Sequence, residues 1–441
     1  MTSPIELAAR QHPTQLAFDD GEVQIAYADL VAKLSESSRR FADADSGAHV
    51  AWCPKNDADA FLTFWALQQH GCVACPVSHR FPEALREEIV QRLDAVWLPD
   101  LSDAELNQTE SDRATIILSS GSTGVPKAIV HTMAAHVASA KGAATNMQLD
   151  PGDRWLWSLP LCHVSGLSIL VRCAVASATV VGMPTGSKLS ARLLDEQRIT
   201  HLSVVTTQLR RLLADENFPS LHLKAVLLGG SSVDSRLVAA ARERGVSVHT
   251  TYGLSEMASQ VTTSTSTDDP SKCGRVLPGR QLEISASGEI LVRGETLCLG
   301  YYGNGKVESA VDESGWFHTG DLGELDEDQQ LTVKGRIDNM FISGGENIHP
   351  ENIERAMRSA FEIDHVIVVP RSDETFGNRP VAFVQGDLPA DWEAILREKL
   401  QGYQIPVDVL AWPAEAEGAI KPNRKHLQKL APGGLGRRWR P

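Results

Sequence analysis

Ile116-Ile117-Leu118-Ser119-Ser120-Gly121-Ser122-Thr123-Gly124-Val125-Pro126-Lys127-Ala128 is the stretch on which the chain turns. The apolar run Ala114 to Leu118 predicts a buried strand, broken by a loop of small, hydroxylated and glycine residues that ends in Pro-Lys. With so little side-chain bulk, the amides and hydroxyls of Ser119, Ser120, Gly121, Ser122, Thr123 and Gly124 can close on phosphate oxygens. Lys127 adds a mobile point charge. The Gly-x4-Gly-Lys-Ser/Thr spacing of a Walker A loop is absent, because Lys127 is followed by Ala128. Taken alone, the stretch reads equally well as a flexible Ser/Gly loop.

The run Ser119 to Lys127 closely resembles the phosphate loop of the adenylate-forming superfamily, which includes acyl-CoA synthetases, luciferases and peptide-synthetase adenylation domains. Further stretches of that pattern recur downstream in order, so the resemblance covers nearly the whole chain.

The totals are compatible with this. A chain of 441 residues can bury a large core and should form two or more domains. A formal charge of −14 argues against nucleic-acid or anionic-membrane binding. The longest apolar stretch, Leu167 to Met183, is interrupted by Arg172 and is short for a bilayer span, so no membrane insertion is expected. Seven scattered cysteines, with Cys72 and Cys75 in an apolar strand-like run, read as buried thiols in a reducing cytoplasm. A homo-oligomer is left open.

Upstream of the loop, helical and strand patterns alternate. Tyr27 to Ala44, Ala58 to Gln69 and Pro82 to Leu93 read as helices; His49 to Cys53, Cys72 to Val77 and Ala95 to Leu98 read as strands. Alternation of this kind predicts an α/β fold with mostly parallel sheets and flanking helices. Downstream, a helix over Thr132 to Asn146 and strands at 154–158, 200–205, 224–228 and 246–250 continue the pattern. Gly274 to Arg336 turns to short strands, a β-rich subdomain. Beyond it lies a small α+β C-terminal domain. The expected division is 1–337, the AMP-binding and acyl-pocket domain, and 338–441, a mobile domain joined at the family's hinge position, Asp338.

Chemistry-bearing residues cluster at strand ends. Paired glycines at Gly229-Gly230-Ser231 let a flat ligand approach the backbone, and the resemblance implies that this stretch abuts adenine. In Tyr252-Gly253-Leu254-Ser255-Glu256 the ring can stack on adenine, the hydroxyl of Ser255 can meet a phosphate, and Glu256 offers a hard oxygen for Mg²⁺. The resemblance implies further that Asp321 accepts both ribose hydroxyls and that Arg336 contacts the ribose. Gly344 and Gly345 would line a pantetheine channel for coenzyme A. Lys421, in Gly418-Ala419-Ile420-Lys421, would enter the active site during adenylation, with Lys425 as its competitor. His163, in Leu161-Cys162-His163-Val164-Ser165-Gly166, matches the segment that lines the acyl pocket, with Ser165 and Gly166 beside it.

A carboxylate is a poor acyl donor, and transfer to AMP supplies a good leaving group. Two anions must therefore meet, which requires positioning and cations: Lys421 on the in-line oxygens, Lys127 and Mg²⁺ on the departing pyrophosphate. Within the superfamily, details such as Pro-Leu-Cys-His-Val-Ser-Gly-Leu, Thr207-Gln208-Leu209 and Ser-Gly-Gly-Glu-Asn-Ile look most like the 2-succinylbenzoate–CoA ligases of menaquinone synthesis. Their substrate carries a second carboxylate, for which Arg172, Thr207 and Ser259 are candidates. Arg172 reads equally as half of a structural salt bridge. A ligase or carrier-loading enzyme for another acid, and a non-catalytic nucleotide-binding relative, are the other readings. ATP, Mg²⁺ and coenzyme A are the expected cofactors.

Overall fold

The expected strand before the loop runs from Arg113 to Ser119 and turns straight back as a second strand, Lys127–Thr132. The two are antiparallel, with Ser119 opposite Lys127, so the two strands form a hairpin. The sequence pattern did not announce the returning strand: its residues merge into the helix signal that starts at Thr132, and the helix itself begins at Met133. The computed structural model describes residues 3–37, 46–99, 112–119, 126–184, 186–219, 222–230, 235–363, 365–414 and 424–431.

Among the described residues this hairpin belongs to a seven-stranded sheet. One half is parallel, formed by Val96–Trp97, His49–Trp52, Val73–Pro76 and Arg113–Ser119. The other half is antiparallel, formed by Lys127–Thr132, Gly300–Gly303 and Lys306–Glu308. A nine-stranded sheet has a parallel centre that includes Arg154–Leu156, His201–Val204, Ala225–Leu228 and Val248–Leu254. Ser259–Thr263 folds back antiparallel at one end.

Helices Met133–Met147 and Val164–Ala176 are buried over most of their circumference, and their core cluster draws side chains from both sheets. A helix that is apolar all round belongs between two layers. A four-stranded antiparallel sheet over 280–336 is the expected β-rich subdomain.

Residues after the turn Ile337–Asn339 build a core of their own around Phe341, Ile353, Met357, Val368 and Val409. Here His365–Asp373 and Gly377–Gln385 pair along their whole length, longer than the apolar runs alone suggest. Polar residues at both ends are carried by backbone pairing. The fold is therefore α/β with a large and a small domain. Arg355 donates to the Val333 carbonyl at 2.8 Å and Arg210 to the Ile363 carbonyl at 2.8 Å across the two. Every cysteine is a free thiol, and burial pushes Cys72 up to about 11, which suits the inert reading.

Buried histidines sit at several joints. His49, His131, His201 and His249 each bond a backbone carbonyl at 2.6 to 3.0 Å, and His136 bonds the Thr115 hydroxyl at 2.9 Å. Burial lowers the pKa of each, that of His131 to about 4. The folded state holds these rings neutral, whereas an unfolded chain protonates them near 6.5. Stability should therefore be complete above pH 6.5 and fall towards pH 4, by up to about 1.4 kcal/mol per pH unit for each ring. His318 is held upward by Glu289 and Asp312 and acts in the opposite sense, but only above pH 6.5. Melting scans at pH 7, 6 and 5 check this; equal midpoints would overturn it.

Candidate active site

Lys127 is exposed at the start of its strand, and Arg92 holds the residue before it by donating to the Pro126 carbonyl at 2.6 Å. Its neighbour across the sheet is Gly300–Gly303, in which Tyr301 pairs with Ile129. Diagonal positions on one face lie within reach of long side chains. Accordingly the Lys127 Nζ stands 4.8 Å from the centre of the Tyr301 ring. The Tyr301 hydroxyl donates to Glu256 Oε1 at 2.9 Å. Burial and the charge of Glu256 hold the phenol well above its ordinary pKa, so it stays a donor.

Glu256 lies in a 3-10 turn, Ser255–Met257, at the end of Val248–Leu254. This turn is pinned from outside. His131 donates from Nε2 to the Ser255 carbonyl at 2.8 Å, and the Cys298 amide donates to the Glu256 carbonyl at 2.7 Å.

Tyr252, on the same strand, donates to Asp321 Oδ2 at 2.8 Å, while Arg336 donates to Oδ1 at 2.8 Å. Burial, then the Asp321 charge, raises the Tyr252 phenol well above its usual value. Both oxygens of Asp321 are thus oriented as acceptors. The Tyr252 ring is 8% exposed and packs with Met257 and Val261, so little of its face is left open for stacking.

Three residues past Glu256 comes Ser259, whose φ of 116° follows Ala258 at 50°. Two consecutive non-glycine residues in the left-handed region mark stored strain. Gly253 is required here, since a Cβ on it would fall 2.1 Å from the Ser259 carbonyl oxygen. The bend turns the Ser259 hydroxyl to accept from Arg172 at 3.0 Å.

Arg172 is 2% exposed, its guanidinium 5.2 Å from the Trp155 ring centre, and its Nε has no hydrogen-bond partner. Burial, then Arg280, lowers its pKa to about 9. No ion pair to Arg172 occurs among the described residues, which removes the salt-bridge reading. A buried guanidinium with an open donor is chemically suited to a carboxylate.

Segment 252–259 therefore threads three groups: Asp321 with Arg336, Glu256 with Tyr301 and Lys127, and Ser259 with Arg172. The first can receive a diol, the second a charged phosphate with its cation, and the third an anion in a dry wall.

Other expected residues fall around them. His163 is the exposed N-cap of the helix that carries Arg172, with Ser165 half-buried in its first turn. Thr207 is half-buried in the first turn of Thr206–Leu213. Gly230 takes φ 81°, while Gly229 is demanded by the Thr251 methyl, 2.7 Å from where a Cβ would stand. Gly166 has a packing requirement of its own, since a Cβ on it would fall 2.1 Å from the Pro160 carbonyl oxygen.

Gly344 and Gly345 have a backbone requirement as well. They are the two central residues of a hairpin pairing Ser343 with Glu346, with φ of 60° and 90°, which is type I′ geometry. Nothing lies within 4 Å of a Cβ on Gly345. Ser120, Gly121, Ser122, Thr123, Gly124, Ser231 and Lys421 lie outside the described residues.

Sequence reasoning missed Tyr301, which falls within the stretch Gly274 to Arg336 read only as short strands. Strand register, invisible without knowing the partner strand, puts it beside Lys127.

The residues fit Mg²⁺ that arrives with a nucleotide. Among the described residues Glu256 Oε2 has no hydrogen-bond or ion-pair partner, and no group of three or more His, Cys, Asp or Glu could hold a metal unaided. Mg²⁺ is held in this way by one or two carboxylates together with substrate phosphates.

The sequence model of the AMP-binding enzyme family matches residues 91–302. The 2-succinylbenzoate–CoA ligase of Escherichia coli is 35% identical over 92% of this chain and 93% of its own length. A substituted form of Escherichia coli MenE with bound OSB-AMS superposes with a TM-score of 0.86, at 34% identity, covering 97% of this chain and 98% of that one. Bacillus subtilis o-succinylbenzoate coenzyme A synthetase in complex with ATP and magnesium ion gives 0.82 at 25% identity, covering 92% and 95%.

Proposed function

The chain belongs to the family of 2-succinylbenzoate–CoA ligases, and from that membership we propose how its own residues divide the work. It is an AMP-forming acid–thiol ligase. In menaquinone biosynthesis such an enzyme joins 2-succinylbenzoate to coenzyme A in two steps. The substrate carboxylate attacks the α-phosphorus of ATP and pyrophosphate leaves. The coenzyme A thiol then adds to the acyl carbonyl, and AMP leaves with the bonding electron pair.

Asp321, oriented by Tyr252 and Arg336, accepts the ribose hydroxyls. Lys127 and the loop amides hold the β- and γ-phosphates. Bound at Glu256, Mg²⁺ supplies charge neutralisation on the leaving pyrophosphate. Lys421 faces the in-line oxygens in the first step and is withdrawn for the second.

That withdrawal places the domain boundary at Asp338, which is 63% exposed within the turn Ile337–Asn339 and 3.6 Å from Arg336. Rotation there breaks the exposed Arg336–Asp338 pair, an interaction of little energy, together with the hydrogen bonds from Arg355 and Arg210 that cross the two domains. Gly344 and Gly345 then approach the thiol's path. No helix among the described residues is long and apolar enough to cross a membrane, and the free thiols support a reducing, cytoplasmic setting.

The observation that carries the choice of acid is the Arg172 guanidinium, buried without an anion. A monocarboxylic acid leaves it unmatched. Pyrophosphate release should therefore favour 2-succinylbenzoate over benzoate and octanoate by at least about 10²-fold in kcat/KM, since a site built for a polar group rejects analogues lacking it. Thioester should form only when coenzyme A is added. Release with benzoate or octanoate and none with succinylbenzoate would refute the choice of acid and leave the reaction class standing.

A further inference from the structure

Lys127 and Glu256 carry opposite charges and both touch Tyr301, yet they form no ion pair with one another. An exposed lysine is flexible enough to reach a neighbouring carboxylate, and opposite charges near a protein surface attract. The same aromatic side chain engages both. Its face takes the ammonium at 4.8 Å, and its hydroxyl, at the far end, takes one carboxylate oxygen at 2.9 Å.

Each charge is thereby partly satisfied and held in place by a neutral group that cannot cancel it. Tyr301 is itself fixed: its strand is bonded to Lys127–Thr132 on one side and Lys306–Glu308 on the other. The adjoining Gly300 has no room for a side chain, since a Cβ would fall 2.0 Å from the Glu308 carbonyl oxygen. The spacer is thus built into the sheet.

We propose that Tyr301 is a positioning residue that keeps Lys127 and Glu256 from pairing, leaving the ammonium for a phosphate and the carboxylate for the divalent cation. The proposal rests on the nucleotide-binding reading above. Two variants separate the two contacts. Tyr301→Phe keeps the ring and removes the hydroxyl; Tyr301→Leu removes both.

Binding is read without acid substrate, so that no turnover intervenes. Mn²⁺ binding in the presence of ATP is followed by electron paramagnetic resonance, and metal-free ATP binding by calorimetry in EDTA. For Tyr301→Phe, Mn²⁺ affinity should fall about tenfold, the scale of one lost hydrogen bond to a charged group, with metal-free ATP affinity changed less than about twofold. For Tyr301→Leu both should fall, because Lys127 and Glu256 collapse onto each other.

Adding Glu256→Gln to Tyr301→Leu should then restore metal-free ATP affinity, by freeing Lys127. A merely structural tyrosine would show no such rescue. Unchanged Mn²⁺ affinity in Tyr301→Phe, or no rescue in the double variant, overturns the spacer. If Tyr301→Leu fails to fold, the Phe variant decides alone. A parent protein that binds neither ATP nor Mn²⁺ with ATP overturns the nucleotide reading itself.

Discussion

An Arg172→Met variant should lose about 10²–10³-fold in kcat/KM for 2-succinylbenzoate and should at the same time melt at a higher temperature than the parent. The two effects have one cause. Arg172 is buried, its Nε is unpartnered, and its partners among the described residues are the Ser259 hydroxyl and the Trp155 ring face. A cation in that state destabilises the fold by its lost hydration, and burial already brings its pKa down to about 9.

Methionine fills similar volume without charge, so the fold gains where the substrate loses. The gain should appear as an apparent midpoint raised by about 2–4 °C. The functional loss should fall on the acid, with the KM for ATP unchanged, because Asp321, Glu256 and Lys127 are untouched. Arg172→Lys should recover little, since an ammonium lacks the planar fork. If the variant melts lower and keeps its activity, Arg172 is a structural residue and the acid is bound elsewhere.

Replacing Lys421 by alanine should slow acyl-adenylate formation about 10²–10³-fold while sparing thioester formation from preformed acyl-adenylate. Substrate carboxylate and ATP repel one another, and a cation on each side of the α-phosphorus offsets that repulsion. Lys127 serves one side, on the strand beside Tyr301. The opposite cation must come from a part of the chain that can leave before the thiol arrives. The closing stretch meets that need: Arg424, three residues after Lys421, is anchored in the small domain by Glu354 at 2.6 Å, Glu351 at 3.4 Å and the Val368 carbonyl. Lys425, the competing residue, should tolerate alanine. Rapid-quench measurement of each half-reaction separates the outcomes, and equal loss in both would refute the swinging domain.

Much of this fold is written in local pattern. The parallel strands and their helices announce themselves because each is an apolar run of the right length, and the order of motifs 119–127, 252–256 and 321–336 needs no partner strand to be read. What stayed hidden depends on register. Lys127–Thr132 reads as the approach to a helix, and only pairing with Arg113–Ser119 makes it a strand. Tyr301 reads as one more strand aromatic until Ile129 is set opposite it. Arg172 could be read as ion pair or ligand, because sequence names the charge but not what surrounds it. Gly166 and the Gly344-Gly345 pair were legible as necessary, while the reasons, a carbonyl in contact and a two-residue hairpin turn, needed the backbone.

The hairpin at 113–132 has a consequence for change over time. Its charge sits on a strand locked into a sheet, whereas the amides proposed to meet the phosphates belong to the connection between the two strands. A lineage could lengthen or trim that connection and alter how it wraps an anion without moving the lysine. Fit to the nucleotide and attraction to it are thus inherited as independent traits.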